Sequence, residues 1–312
     1  MSSGRWTEAD APDQTGRVAV ITGANTGLGY ENARALAQRG AKVVIAVRDT
    51  AKGESAAAKI QQLAPAAEVT VQPLDLASMD SIRQAAEELR NSLEKIDLLI
   101  NNAGVMMPPK RKSTREGFEL QFGVNHLGHF ALTGLLLDKI VATEGSRVVT
   151  VSSIAHSNNP PKSGIRWEDP QWERSYSPQG AYGQSKLANL LFARGLDRRL
   201  TSAGKGTLST ASHPGVAGTD LGRQFGGLGK MLYERGSALF LNTAQVGALA
   251  TLRAAVDPSA KGGEYYGPAG PAGLAWRGHP VLARSSEKSR DVALQDRLWG
   301  LSEELTGVAY SL

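Results

Sequence analysis

No cysteine occurs in the 312 residues, so disulfides and thiolate chemistry are excluded. No run of about 18 or more apolar residues exists, which removes a membrane-spanning helix of ordinary length. The opening segment, "MSSGRWTEADAPDQTG" (1–16), is polar and lacks the apolar stretch of a secretory signal. The cytoplasm is therefore the expected location. Histidine is scarce, at five residues, and none sits with carboxylates at ligand spacing, so no metal site is expected. The densest basic run, "PPKRKSTREG" (108–117), has no interleaved aromatics. It reads as a solvated loop, not a nucleic-acid surface. The formal charge of +5 is compatible with attraction of an anionic cofactor. Internal repeats, linkers and low-complexity segments are missing as well.

What is present is a regular alternation of strand and helix patterns. In "RVAVITGANTGLGYENARALAQRGAKVVIAVRD" (17–49) a buried strand spans Val18–Thr22 and a glycine-rich turn follows. A helix then carries apolar positions near Leu28, Ala33, Leu36 and Ala37, stops at Gly40, and gives way to a second strand over 42–47. Strand–helix–strand in about 30 residues is a parallel βαβ unit. Further strands are predicted over 69–76, 146–153, 207–215 and 263–270, and a strand with its turn over 96–104, with helices over 78–93, 118–141, about 181–200 and about 243–256. About seven strands without a break in composition predict one doubly wound Rossmann-type α/β domain, a central parallel sheet flanked by helices on both faces. The domain would cover 17–312, after a polar extension over 1–16, with a substrate-side insertion at 154–180 and a C-terminal tail at 271–312. Residues 221–240 mix glycine, apolar and charged residues, and fit either a mobile lid or an ordinary pair of surface helices.

The chemistry-bearing motifs fall at the carboxyl ends of these strands, where such sheets bind ligands. "TGANTGLG" (22–29) places Gly23, Gly27 and Gly29 between the first strand and helix. Glycines there permit a tight turn and let a pyrophosphate approach the helix N-terminus. The spacing differs from the usual dinucleotide fingerprint, but the position argues for a dinucleotide. The second strand ends in Ala46 and Val47, followed by Arg48. A guanidinium suits a ribose 2′-phosphate and favours NADP(H) over NAD(H). Asp49 competes with that reading, because a slip of one residue would offer a carboxylate to the ribose hydroxyls. Asp75, with Leu76, ends the third strand; its carboxylate could meet an adenine amino group or cap the loop. "NNAG" (101–104) closes the fourth strand.

Tyr182 and Lys186 stand four residues apart on one helix face. An ammonium beside a phenol favours phenolate, which would let the tyrosine exchange a proton with a carbonyl or alcohol oxygen. A lone Y-x-x-x-K is common, but here it has company. "VVTVSS" (148–153) ends the fifth strand on Ser152 and Ser153, and Asn125 lies inside an otherwise apolar helix, where an amide must be bonded.

With these residues in view, the chain resembles the short-chain dehydrogenase/reductases over nearly its whole length, through "TGANTGLG", "NNAG", "VNHLGHF", "VVTVSS", "AYGQSK" and "HPG". Within the family it looks most like the branch of retinol dehydrogenases, WW-domain oxidoreductases and light-dependent protochlorophyllide reductases. That likeness rests on "AVRDTAKGE", "VNHLGHFALTGLLL", "VSSIAH", "SKLANLLF" and "HPGVAGTDL". The resemblance implies Tyr182 as general acid/base, Lys186 on the nicotinamide ribose, Ser153 rather than Ser152 orienting the substrate oxygen, and Asn125 holding a water behind the lysine. It implies Gly23, Asn25, Thr26, Gly27 and Leu28 around the pyrophosphate, with Gly29 packing the helix closely. Asn102, Ala103 and Gly104 would flank the adenosine, and Pro214, Val216 and Thr219 would fix the nicotinamide amide. The membrane anchor of many animal retinol dehydrogenases and any WW domain are missing, and the segment between Ser153 and Tyr182 is longer than the family minimum. The implied activity is hydride transfer between NADP(H) and a carbonyl or alcohol. A pocket lined by Trp167, Trp172, Phe225, Leu228, Met231 and Leu232 would lean towards an apolar substrate such as a retinoid, steroid or lipid aldehyde. The alternative is a non-catalytic NADP(H) sensor on the same fold. Helices over 118–141 and 181–200 could pair two copies into a homo-oligomer.

Overall fold

A computed structural model describes residues 5–215, 243–270 and 278–312. Among these, eight strands form one sheet in the order β3-β2-β1-β4-β5-β6-β7-β8. The strands are β1 (Val18–Thr22), β2 (Lys42–Val47), β3 (Val69–Pro73), β4 (Leu98–Asn101), β5 (Arg147–Val151), β6 (Leu208–Ser212), β7 (Tyr265–Pro268) and β8 (Pro280–Leu282). All neighbours pair in parallel except β7 and β8, which are antiparallel. The helices are α1 (Gly27–Gln38), α2 (Thr50–Leu63), α3 (Met79–Ser92), the short α4 (Leu120–Phe122), α5 (Gly128–Val141), the short α6 (Ala155–Asn158), α7 (Pro178–Ser202), α8 (Ala244–Val256) and α9 (Val292–Thr306).

The pleat explains the two cores. Ala19 and Ile21 of β1 point to one face and pack with Leu36, Ile60, Leu252 and Val256 of α1, α2 and α8. Val20 points to the other face, towards Ile82, Phe130, Leu136 and Leu196 of α3, α5 and α7. Strands buried on both faces read as unbroken apolar runs, as they do here. The order reverses between β1 and β4, and the crevice there opens at the carboxyl ends of both strands.

Four differences from the sequence reading matter. The predicted helix over 118–141 is broken: a π-helical stretch, Gly123–Leu127, separates α4 from α5 and carries Asn125. Such a bulge re-aims side chains and recurs at functional sites. The tail predicted over 271–312 contains β8 and the packed helix α9. Trp299 of α9 meets Phe130 edge-on at 5.2 Å, and Tyr310 Oη donates to the Phe130 carbonyl at 2.6 Å. Part of the α5–α7 face proposed for pairing with a second copy is thus covered by the chain's own C-terminus. The polar extension is also docked where it is described: Arg34 of α1 makes a forked contact with Glu8 at 2.9 and 2.6 Å, and Ala11 is buried. Finally, α2 has no counterpart in the sequence reading, although Asp49 caps it through the Lys52 amide.

Four histidines are buried, and burial lowers the pKa of each, which makes the fold acid-sensitive. His126 is sandwiched near Phe122 and Phe130, and its Nε2–H donates to Ser302 Oγ at 2.8 Å, because that hydroxyl's own hydrogen goes to the Leu298 carbonyl. Burial holds His126 at a pKa of about 3, His129 at about 4 and His213 at about 3. The unfolded chain takes up these protons below about pH 6.5, so stability is full above that pH and falls as pH drops. His126, His129 and His213 are each expected to cost roughly 2 kcal/mol by pH 5, with a further loss from His156. Urea midpoints at pH 7 and pH 5 would check this, with His126→Leu recovering about 2 kcal/mol of the loss. A midpoint unchanged between the two pH values would contradict it.

Candidate active site

The β1–α1 turn is built for close approach. Gly23 and Gly27 have φ of 67° and 58°, left-handed values that disfavour side chains. Thr26 holds the N-cap position of α1 in extended backbone but makes no capping bond, and the first turn carries no acidic residue. The amides and dipole at that end are thereby open to an anion. A groove of about 1310 Å³ runs from this turn along the sheet edge, lined by Gly23, Asn25, Thr26 and Gly27. Arg48, Asp75, Leu76, Ala103 and Gly104 line it further on. These residues fit a dinucleotide: a glycine turn, a helix N-terminus and a cationic end made by Arg48, Lys52 and Lys59 share one cavity.

Leu28, Gly29 and Asn102 are not on the groove wall. Leu28 packs against α8, where a Cβ on Gly247 would meet its Cδ2 at 2.9 Å. A Cβ on Gly29 would lie 2.5 Å from Asn102 Nδ2 and 2.6 Å from the Gly23 carbonyl, so only glycine lets the turn close there. Asn102 Nδ2 donates to the Thr22 carbonyl at 2.8 Å. The three hold the turn from beneath. Pro214 follows β6 beside α8, while Val216, Thr219 and the 221–240 segment lie outside the described residues. Asp75 caps its loop, Oδ1 accepting from the Ala77 amide at 3.0 Å, and the residue also lines the groove.

Gly104 joins the groove to a second cluster. A Cβ there would stand 3.2 Å from Asn125 Oδ1 and 3.6 Å from Lys186 Nζ. Lys186 is 4% exposed, donates to the Val151 carbonyl at 3.1 Å, and its ammonium lies 5.7 Å from the Tyr182 ring centroid. Burial lowers its pKa to about 8. Burial raises the Tyr182 phenol, and a hydrogen bond with Ser153 opposes that rise. Ser152 turns inward and donates to the Lys186 carbonyl at 2.7 Å, whereas Ser153 faces the tyrosine. Gly183 lets the 159–160 backbone press onto α7 beside Tyr182, for a Cβ would meet the Asn159 carbonyl carbon at 2.5 Å.

Asn125 is fully buried and its amide clamps Val105. Oδ1 accepts from the Val105 amide at 2.8 Å, and Nδ2 donates to the Val105 carbonyl and to Ser185 Oγ, both at 3.0 Å. Both of its amide hydrogens are therefore held by protein acceptors. Sequence reasoning missed Thr22 and His129. His129 Nδ1–H donates to the Asn125 carbonyl at 3.0 Å, which leaves Nε2 to accept from the Thr22 hydroxyl at 2.8 Å. Thr22 Oγ1 in turn accepts from the Asn102 and Ala103 amides at 2.9 Å. The i,i+4 spacing of Asn125 and His129 was a usable signal for this relay. Trp167 and Trp172 do not face the groove. Trp172 is buried under the Arg166 guanidinium at 4.4 Å, and Trp167 packs on the Phe122–Leu187 core beneath Arg297 at 4.2 Å. No group of His, Cys, Asp and Glu among the described residues could hold a metal ion. Nor is any described helix long and apolar enough to cross a membrane.

Known proteins share this arrangement of chain. The family profile described as short chain dehydrogenase matches residues 17–165. Retinol dehydrogenase 12 of Mus musculus is 44% identical over 95% of this chain and 88% of its own length. Retinol dehydrogenase 11 of Mus musculus is 41% identical over 94% of this chain and 87% of its own. The crystal structure of an uncharacterized protein from Mycobacterium paratuberculosis superposes with a TM-score of 0.82 at 42% identity, covering 99% of this chain and all of that one. The chain belongs to the short-chain dehydrogenase family, in its retinol dehydrogenase-like branch, and is an oxidoreductase of alcohols and carbonyls that uses a nicotinamide dinucleotide.

Proposed function

We propose that the protein is an NADP(H)-dependent reductase or dehydrogenase of apolar carbonyl or alcohol substrates, with Tyr182 as general acid/base. The observation that carries the reading is the convergence of Tyr182, Lys186 and Ser153 at the point where Gly104 ends the groove. A bound nicotinamide would supply the hydride acceptor or donor. The chain supplies the rest. Ser153 orients the substrate oxygen, and Tyr182 holds the proton that the oxygen gains or loses. Lys186 places positive charge beside the phenol and so makes its phenolate accessible. Gly23, Asn25, Thr26 and Gly27 hold the pyrophosphate, and Asp75, Leu76, Ala103 and Gly104 flank the adenosine. Asn125 is a positioning residue: it fixes Val105, and with it Gly104, against Lys186. Pro214, Val216 and Thr219 complete the nicotinamide side in this reading. The apolar substrate class, with retinoids first, rests on the named activity of the relatives. The pairing of two copies is left to the parts of α5 and α7 that α9 does not cover. The test is oxidation of NADPH and NADH with retinal, steroid ketones and lipid aldehydes. NADP(H) binding with no turnover in either direction would favour the sensor reading instead.

Cofactor preference has its own support. Asp49 Oδ1 accepts from the Lys52 amide at 3.1 Å and Oδ2 pairs with Lys52 Nζ at 2.6 Å, so the competing carboxylate is already engaged as a helix cap. Arg48 is exposed on the groove wall with Lys52 and Lys59 nearby. Guanidinium–phosphate bonds are charge-assisted and worth about 1.5–3 kcal/mol. Arg48→Ala should therefore raise the KM for NADPH about ten- to hundred-fold and leave that for NADH nearly unchanged. A wild-type preference for NADH would sink this assignment.

A further inference from the structure

A cavity of about 430 Å³, separate from the dinucleotide groove, is walled by Arg194, Ala283, Arg284, Ser285 and Arg290. Arg194 projects from α7, half-buried, and meets only neutral acceptors. It donates to the Gly263 carbonyl at 3.3 Å, to Ser289 Oγ at 2.7 Å and to Ser285 Oγ at 3.0 Å. No carboxylate of the described residues pairs with Arg194, Arg284 or Arg290. Of the acids nearby, Glu264 takes the Tyr266 hydroxyl and the Lys261 amide, Asp197 accepts from the Ser209 amide, Asp291 caps α9 through the Leu294 amide, and Glu287 is exposed to solvent. Arg194 instead feels the charge of Arg290, which together with burial depresses its affinity for its proton. Guanidiniums that share a cavity without an ion-paired carboxylate repel one another, and an anion between them relieves that repulsion.

We propose that this cavity binds a phosphate monoester, its phosphoryl group held by Arg194, Arg284, Arg290 and the Ser285 hydroxyl. The planar forks of arginine match phosphate oxygens in pairs. Ser285 Oγ accepts from Arg194, which leaves its own hydrogen available to a phosphoryl oxygen. The volume, on the order of ten water molecules, leaves room for an organic body beside the phosphate. The wall also communicates with the active site. The Ser286 amide donates to His156 Nε2 at 3.2 Å, and His156 Nδ1–H donates to the Ser153 carbonyl at 2.6 Å.

Thermal unfolding of the full chain with inorganic phosphate, phenyl phosphate and sodium chloride at matched ionic strength tests the site. Both phosphates should raise Tm beyond chloride, phenyl phosphate at the lower concentration. The double variant Arg284→Gln/Arg290→Gln changes two exposed side chains and leaves the Arg194 contacts in place. It should weaken both phosphates by about ten-fold per arginine. Equal shifts with chloride, or shifts that survive in the double variant, would overturn the site. So would shifts abolished by Arg48→Ala alone, which would put the phosphate in the dinucleotide groove. Binding of inorganic phosphate with exclusion of phenyl phosphate would overturn the monoester assignment.

Discussion

Tyr182→Phe is expected to lower kcat/KM for carbonyl reduction by about 10²–10⁴-fold while leaving the fold and NADPH affinity nearly intact. The reasoning follows from what the substitution removes. A phenylalanine keeps the ring, its place on α7 and the cation–ring contact with Lys186 at 5.7 Å. It deletes only the hydroxyl that Ser153 meets. Ser153 Oγ still accepts from the Ala155 amide at 3.2 Å, so the lost bond is expected to cost about 1 kcal/mol or less. Activity and stability therefore separate. Steady-state rates, NADPH binding by fluorescence and urea midpoints on the same preparation would measure both. A variant that keeps a tenth of wild-type activity would show that another group carries the proton.

Lys186→Met should move activity and stability in opposite directions. At pH 7 the lysine is buried and charged, with a pKa lowered to about 8 against an ordinary value near 10.5. The unfolded chain binds that proton more tightly than the folded one. The full penalty therefore applies below about pH 8, and wild-type stability recovers as pH rises from about 8 to about 10.5. Methionine fills similar volume without charge. The Val151 carbonyl is not orphaned, because Asn189 Nδ2 also donates to it at 3.0 Å. The variant should be more stable by roughly 1–3 kcal/mol at pH 7, with the gain shrinking above pH 8. Its kcat/KM should fall on the order of 10²-fold, and the pH optimum for alcohol oxidation should move up by about one to three units. That alkaline move is the readout that a merely structural lysine would not produce. A less stable variant with an unmoved pH profile would contradict both halves of the argument.

The site was legible where its signal is local. "TGANTGLG" carries the turn in its glycines, since Gly23 and Gly27 take left-handed backbone and Gly29 sits against Asn102 and the Gly23 carbonyl. Tyr182 and Lys186 share a face because a helix repeats every 3.6 residues. Strand ends were overextended by one to three residues in places, as for the 69–76 segment against Val69–Pro73. The physical reason is that ladder pairing stops just before the loops that carry function, and apolar pattern does not mark that point. The π-helical turn around Asn125 was hidden for a similar reason. Its register depends on partners such as Val105 and Ser185, which are 20 and 60 residues away.

Sequence alone determined the βαβ order, the parallel sheet, the family and the candidate proton-transfer residues, because periodicity and short motifs act within a few residues. Tertiary structure decided the rest. It put Ser152 into the core and Ser153 against Tyr182, placed Trp167 and Trp172 in packing roles, and laid α9 over α5 and α7. It gathered Arg194 with Arg284 and Arg290 across about ninety residues of chain. Each of these depends on which surfaces meet and on the burial that follows, and burial sets both the charge cost of Lys186 and the neutrality of the histidines.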